Sequence, residues 1–149
     1  MVTALTPDIR QSRTDDSARV VAIWCAAVDA THDFLSAADR AAIETEVRDF
    51  LPAAPLWLAV DGDDVATGFM LLDGTHMEAL FIDPAHRGRG IGRALVNHAL
   101  AMVAELTTDV NEQNSQAVGF YRHLGFVSTG RSALDGQGRP YPLLHLKHG

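Results

Sequence analysis

The sequence predicts an α/β (α+β) fold, and three observations carry that expectation. Apolar residues recur with helical spacing in four segments, and extended apolar segments separate most of them. Clusters of Gly, Asp and Pro punctuate the boundaries. One extended segment passes through a glycine-rich break directly into a helix. The predicted order is β-α-α-β-β-β-α-β-α-β-β.

A short strand is expected over 9–13, and Thr14 with Asp15 and Asp16 offers an N-cap and two first-turn acids to a helix running toward His32. Val20, Ile23, Trp24, Ala27 and Val28 stand at i, i+3, i+4, i+7 and i+8, a single core-facing stripe. Ser36 opens a second helix that turns Ile43, Val47, Phe50 and Leu51 inward, and Pro52 with Pro55 closes it. Residues 56–60, the DGDD turn at 61–64 and residues 65–72 read as a hairpin, with Asp73-Gly74 as a second tight turn. A third strand covers 76–82, and Pro84 and Gly88 break it. Residues 90–104 are helical, with Ile91, Ala94, Leu95, His98, Ala99 and Met102 on the inner stripe. A core strand over 106–110 leads to a short helix from Asn114 or Ser115, which Gly125 ends. Residues 126–134 and 143–147 form a closing hairpin around DGQGRPYP.

No repeat, low-complexity tract or linker divides the 149 residues, so the chain reads as one domain over 1–149. A domain of this length buries roughly 68–70% of its unfolded surface, enough for a core without disulfides. Cys25 is the lone cysteine, read as a small buried side chain. The longest apolar run, 20–28, is far short of the about 20 residues that span a bilayer. The N-terminal MVTALTPDIR lacks a basic segment followed by an apolar stretch, so the expected compartment is the cytoplasm and no membrane partner is expected.

Formal charge is −7, and it is unevenly spread: residues 1–83 hold 15 acids and 5 bases, residues 84–149 hold 4 acids and 7 bases. A net acidic chain argues against nonspecific nucleic-acid binding, which needs a broad basic field. The local exception is Arg87, Arg89 and Arg93. They sit in ALFIDPAHRGRGIGRAL, residues 79–95, where a strand feeds Gly88, Gly90 and Gly92 into a helix. Glycines let the backbone approach a ligand, helix-mouth amides point outward and the dipole favours negative charge, so a pyrophosphate is the natural guest. A P-loop needs Lys then Ser or Thr after its last glycine; Arg93 and Ala94 stand there instead. The dinucleotide fingerprint G-x-G-x-x-G meets Arg93 where its third glycine belongs, and three strands precede the unit, although Asp109 lies about where a ribose ligand is expected. A nicotinamide oxidoreductase thus stays as a distant alternative. Seven histidines form no metal-binding spacing, so no metal is expected.

Two segments resemble the GCN5-related N-acetyltransferases. Arg87, Gly90 and Gly92 fill that family's coenzyme loop, with Gly88 as a common extra glycine, and NEQNSQAVGFYRHLGF at 111–126 is similar to its second motif. WCAAVDATHDFL, FLPAAPLW, HMEALFIDP and RPYPLL further resemble a bacterial branch of the family. The resemblance implies a central, mixed, mostly antiparallel twisted sheet of about six or seven strands with about four helices, the fourth and fifth strands splayed to hold acetyl-CoA. It implies an acetyl-CoA-dependent N-acetyltransferase acting on a primary amine, small molecule or protein, by direct attack in a ternary complex, as monomer or homodimer. Coenzyme contacts carried over are Leu80, Phe81, Ile82, Arg87, Gly88, Arg89, Gly90, Ile91, Gly92, Arg93, Asn111, Asn114, Ala117, Phe120 and Tyr121.

Aminolysis of a thioester requires a neutral amine, a polarised carbonyl and a protonated leaving thiolate. Tyr121 matches the family's general acid; read without the resemblance it is a core aromatic beside Phe120. Asn111 and Asn114 also read as strand-end and cap residues. An alkylammonium ionises near 10.4, so holding it neutral at pH 7 costs about 4–5 kcal/mol unless a base takes the proton. His76 and Glu78 alternate onto one strand face and are the base candidates; the plainer readings are a turn residue after Gly74 and an exposed strand acid. His32 and Asp33 either line the acceptor pocket or merely end a helix. A noncatalytic acetyl-CoA-binding module is the competing class, in which acid and base do not converge.

Overall fold

The structure is a computed structural model that describes residues 7–149; residues 1–6, part of the stretch scanned above for a leader, lie outside the described residues. In chain order the described elements are β1 (Asp8–Gln11), α1 (Ser17–Thr31), α2 (Ala37–Phe50), β2 (Trp57–Val60), β3 (Ala66–Asp73), β4 (His76–Ile82), α3 (Ile91–Met102), β5 (Leu106–Asn111), α4 (Ser115–His123), β6 (Val127–Ser132) and β7 (Leu143–His148). The strands form a seven-stranded sheet in the order β1-β2-β3-β4-β5-β7-β6. The sheet is mixed: β1–β2, β2–β3, β5–β7 and β6–β7 are antiparallel, and β4–β5 is parallel through His76↔Thr107 and Met77↔Thr108. This is the architecture the sequence predicts.

The chain groups into two compact units, one of residues up to Leu71 with Ala79–His98, the other of Leu72–Glu78 with Ala99–Gly149. In the first, the α1 stripe Val20, Ile23, Trp24 and Val28 packs with Leu56, Leu58, Phe69 and Leu71, and Ile43, Val47, Cys25 and Phe81 close over it half-buried. Ser36 caps α2 by accepting the Asp39 amide at 3.1 Å. In the second, Leu106, Thr108 and Val110 alternate into the interior along β5 with Leu146 of β7.

Three sequence expectations are corrected. Thr14 does not cap α1: the Arg13 amide takes the Asp16 carboxylate at 2.7 Å, closing a 3-10 turn over Thr14–Asp16, and α1 starts at Ser17. Phe50 is 57% exposed, because α2 ends there and a 3-10 turn over Leu51–Ala53 rotates Leu51 inward instead. Met102 is 45% exposed, since α3 stops at that residue; Val96, one position past Leu95, is buried in its stead.

Gly68 on β3 controls how the loop-bearing segment packs. A Cβ there would lie 2.8 Å from Ile82 Cδ1, 3.0 Å from Ile91 Cγ2 and 3.2 Å from the Phe81 carbonyl. Both isoleucines flank the glycine-rich break. Gly68→Ala is therefore expected to destabilise the protein by about 1–3 kcal/mol through overpacking, read as a lower urea midpoint at unchanged slope.

Candidate active site

The glycine-rich loop begins at an anchored corner. The Asp83 amide donates to Thr67 O of β3 at 2.9 Å, and its carboxylate accepts the Ala85 amide at 3.0 Å, capping a 3-10 turn over Pro84–His86. Arg19 of α1 pairs with the same carboxylate and donates Nε to Ala66 O at 2.9 Å. Burial pushes the Asp83 carboxyl up, but the Arg19 guanidinium and the Ala85 amide outweigh it and hold the group below the usual carboxylate value. Sequence reading named neither Arg19 nor Asp83. The Asp-Pro dipeptide was the available signal for the cap; nothing local marks Arg19, whose partner lies 64 residues away.

From this corner the chain turns through Gly88 and Gly90, both at φ +75, and no atom lies within 4 Å of the place where a Cβ would stand at either. Arg87, Gly88, Arg89, Gly90 and Arg93 are exposed, whereas Ile91 and Gly92 are buried and pin the helix mouth. The Ala94 amide makes the first helical bond, to Gly90 O at 2.9 Å, so the preceding first-turn amides have no intrahelical acceptor. Arg89 donates to His86 Nδ1 at 3.1 Å. An open, glycine-lined loop with helix-mouth amides and exposed guanidinium groups offers the donors a diphosphate would need. Leu80, Phe81 and Ile82, just upstream, are half-buried, with Phe81 against Phe69 at 5.5 Å between ring centroids.

The second unit holds the other predicted residues. Asn111 ends β5 and accepts the Gln113 amide at 3.0 Å; Asn114 caps α4 by accepting the Ala117 amide at 3.2 Å. Ala117 and Phe120 are half-buried. Tyr121 is 6% exposed, meets Phe120 and Phe126 edge-to-face at 5.2 and 5.3 Å, and shares a hydrogen bond with the Thr108 hydroxyl. Burial pushes its phenol above the ordinary value of 10, so the group is protonated throughout the neutral range.

Register places His76 with Thr107, and Asp109 with His145, on one face of the β4-β5-β7 strands, opposite the face on which Thr108 meets Tyr121. His76 Nδ1 is 2.7 Å from Thr107 Oγ1 and its Nε2 3.5 Å from Asp109 Oδ2. The other oxygen of Asp109 takes His145 Nδ1 at 2.6 Å, and His145 Nε2 lies 2.7 Å from Ser132 Oγ. Glu78, two positions after His76, is exposed. Sequence reading placed Asp109 only where the dinucleotide alternative expects a ribose ligand; strand pairing brings it together with His145 and Ser132. His32 ends α1 with its amide on Val28 O at 2.8 Å; its Nδ1 meets Thr31 Oγ1 at 2.7 Å and its ring Phe34 at 5.2 Å. Burial lowers its pKa from 6.5, opposed by the charge of exposed Asp33. Among the described residues no group of three or more His, Cys, Asp or Glu is arranged to hold a metal, and no helix is long and apolar enough to cross a membrane.

Residues 16–138 match the family described as acetyltransferase (GNAT) domain. The chain is 62% identical over 140 residues to the peptidyl-lysine N-acetyltransferase YjaB of Escherichia coli, covering 94% of this chain and 95% of that protein, and 60% identical over 139 residues to its Salmonella typhimurium counterpart, covering 93% and 96%. The solution structure of apo YjaB from Escherichia coli superposes with a TM-score of 0.92 at 61% identity, covering 96% of this chain and 97% of that one. The chain belongs to the GNAT acetyltransferase family and is an acetyl-CoA-dependent N-acetyltransferase.

Proposed function

We propose that the enzyme acetylates the ε-amine of peptidyl-lysine by direct attack within a ternary complex, in the bacterial cytoplasm. The observation that carries the donor half is the loop rooted at Asp83, whose open glycines and helix mouth suit the coenzyme diphosphate. The acceptor class rests on the 62% identity to an enzyme named for peptidyl-lysine, and an acidic Glu78 on an open strand face suits a cationic side chain.

Bound acetyl-CoA supplies an acetyl group activated as a thioester. Amides of residues 88–93 hold the diphosphate, with Arg87, Arg89 and Arg93 adding charge. Backbone groups of Leu80, Phe81 and Ile82 hold the pantetheine arm, and Asn111, Asn114, Ala117 and Phe120 lie along the coenzyme. Tyr121 donates the proton that the departing thiolate needs; burial keeps that proton in place until it is called on. Glu78 draws the ammonium of the acceptor. His76, with both ring nitrogens engaged, holds Asp109 on the same face. His32 and Asp33 line the acceptor side.

Tyr121→Phe is expected to lower kcat toward a lysine peptide by at least about 10²-fold, the usual contribution of a positioned acid, with KM for acetyl-CoA nearly unchanged. A variant as active as the parent removes Tyr121 from the chemistry; acetyl-CoA binding with no transfer to any amine leaves only the binding-module reading. Gly90→Ala, strained at φ +75, is expected to weaken coenzyme A binding by roughly tenfold, about 1.4 kcal/mol, in calorimetry. Wild-type affinity in that variant places the diphosphate elsewhere.

A further inference from the structure

We infer that Thr108 is the positioning residue of the proposed acid: its hydroxyl proton turns from the Met77 carbonyl to the phenol of Tyr121 and so frees the phenolic proton for the departing thiolate. The inference rests on the reading of Tyr121 as that acid. β5 alternates Leu106, Thr108 and Val110 into the interior, and Thr108 is only 3% exposed. A valine would fill the same space, and a hydroxyl buried among apolar neighbours is unfavourable unless it is bonded. Thr108 has two partners. It donates to Met77 O, on its register partner in β4, at 2.9 Å, and it shares a hydrogen bond with the Tyr121 phenol.

Counting donors gives the pair two arrangements. A threonine hydroxyl carries one proton and two lone pairs, and a phenol carries one proton. While Thr108 gives its proton to Met77 O, only its lone pairs face Tyr121, so the phenol is the donor and its proton is held inside the protein. When the Thr108 proton turns to the phenol oxygen, the same contact persists with the roles exchanged, and the phenolic proton is released to another acceptor. The second arrangement also gives a donor to the phenolate that remains after transfer. The direction in which Thr108 acts on the group agrees: burial raises the phenol's pKa, and the Thr108 hydrogen bond lowers it. Phe120 and Phe126 hold the ring edge-to-face at 5.2 and 5.3 Å, so a hydroxyl proton moves and the side chain stays.

The acceptor ammonium first loses one proton to solvent. The amine lone pair then forms the C–N bond while the C–S bond breaks with its electron pair left on sulfur. Tyr121 gives its proton to that thiolate, and Thr108 donates to the resulting phenolate. The surplus proton on the new amide nitrogen returns to Tyr121 by way of solvent, and the Thr108 proton turns back to Met77 O. One proton is released per acetyl group transferred, as conversion of an alkylammonium and a thioester into an amide and a thiol requires.

The experiment measures kcat and KM with a lysine peptide and acetyl-CoA for Thr108→Val, Thr108→Ser, Tyr121→Phe and the double variant Thr108→Val with Tyr121→Phe. Thr108→Val should lose roughly tenfold in kcat, the size of one hydrogen bond to a reacting group, with both KM values within about twofold of the parent. Thr108→Ser, which deletes a buried methyl and keeps the hydroxyl, should regain most of that loss although its urea midpoint falls. In the Tyr121→Phe background Thr108→Val should cost nothing further in kcat, because it acts only through the phenol. A readout without turnover uses the two tyrosines of the chain, labelled with carbon-13 at the phenolic carbon and assigned with Tyr141→Phe. The Tyr121 resonance should shift in Thr108→Val, stay near its parent position in Thr108→Ser, and move in the parent protein on saturation with coenzyme A. Full kcat in Thr108→Val, a Thr108→Ser variant as impaired as Thr108→Val, additive losses in the double variant, or a Tyr121 resonance indifferent to Thr108→Val or to coenzyme A each overturns the inference. Full activity in Tyr121→Phe removes the acid reading and the inference with it, whereas an impaired Tyr121→Phe beside a fully active Thr108→Val removes the inference alone.

Discussion

The proposed donor site depends on one carboxylate. Asp83 stands where β4 gives way to the glycine-rich loop, and three constraints meet on it: its amide is tied to β3, its carboxylate caps the following turn, and Arg19 of α1 neutralises it. Glycines at positive φ are permissive, and permissive backbone is entropically costly to hold in one conformation. Fixing the root of the loop offsets that cost before any ligand arrives, and buried Ile91 and Gly92 fix the other end. The helix-mouth amides are thereby preorganised, which favours binding over mere attraction in the proposed role.

Asp109 plays the corresponding part in the second unit. Its two oxygens face two imidazoles, one on β4 and one on β7, and each imidazole is held at its other nitrogen by a hydroxyl. Single hydrogen bonds at a half-exposed surface are worth about 0.5–1.5 kcal/mol each, so the value of the set is less in stability than in fixing tautomers. An imidazole with a defined tautomer has a defined acid end and basic end. On the opposite face Thr108, a hydroxyl among apolar neighbours, donates to Met77 O at 2.9 Å and meets Tyr121, so β5 presents functional groups on both sides by simple alternation.

Element order was legible throughout, because helical and extended periods alternate cleanly and Ser36, Gly125 and the Asp-Gly turn mark their boundaries. The errors fell at helix ends. Phe50 and Met102 satisfy the period yet lie where the helix stops, and periodicity carries no information about where packing runs out. The glycine-rich loop was legible for a different reason: three glycines and three arginines within seven residues are a local pattern that local geometry can realise.

The sequence by itself determined the fold class and the glycine-rich, arginine-flanked loop and marked the phenol at 121, since each is written in contiguous residues whose backbone and chemistry act over a few positions. Only the tertiary structure decided that Arg19 anchors Asp83 across 64 residues, that Tyr121 is buried against Thr108, and that Asp109, His145 and Ser132 form one hydrogen-bonded chain. Those pairings come from strand register and helix packing, which join residues far apart in the chain and leave no local spacing to read.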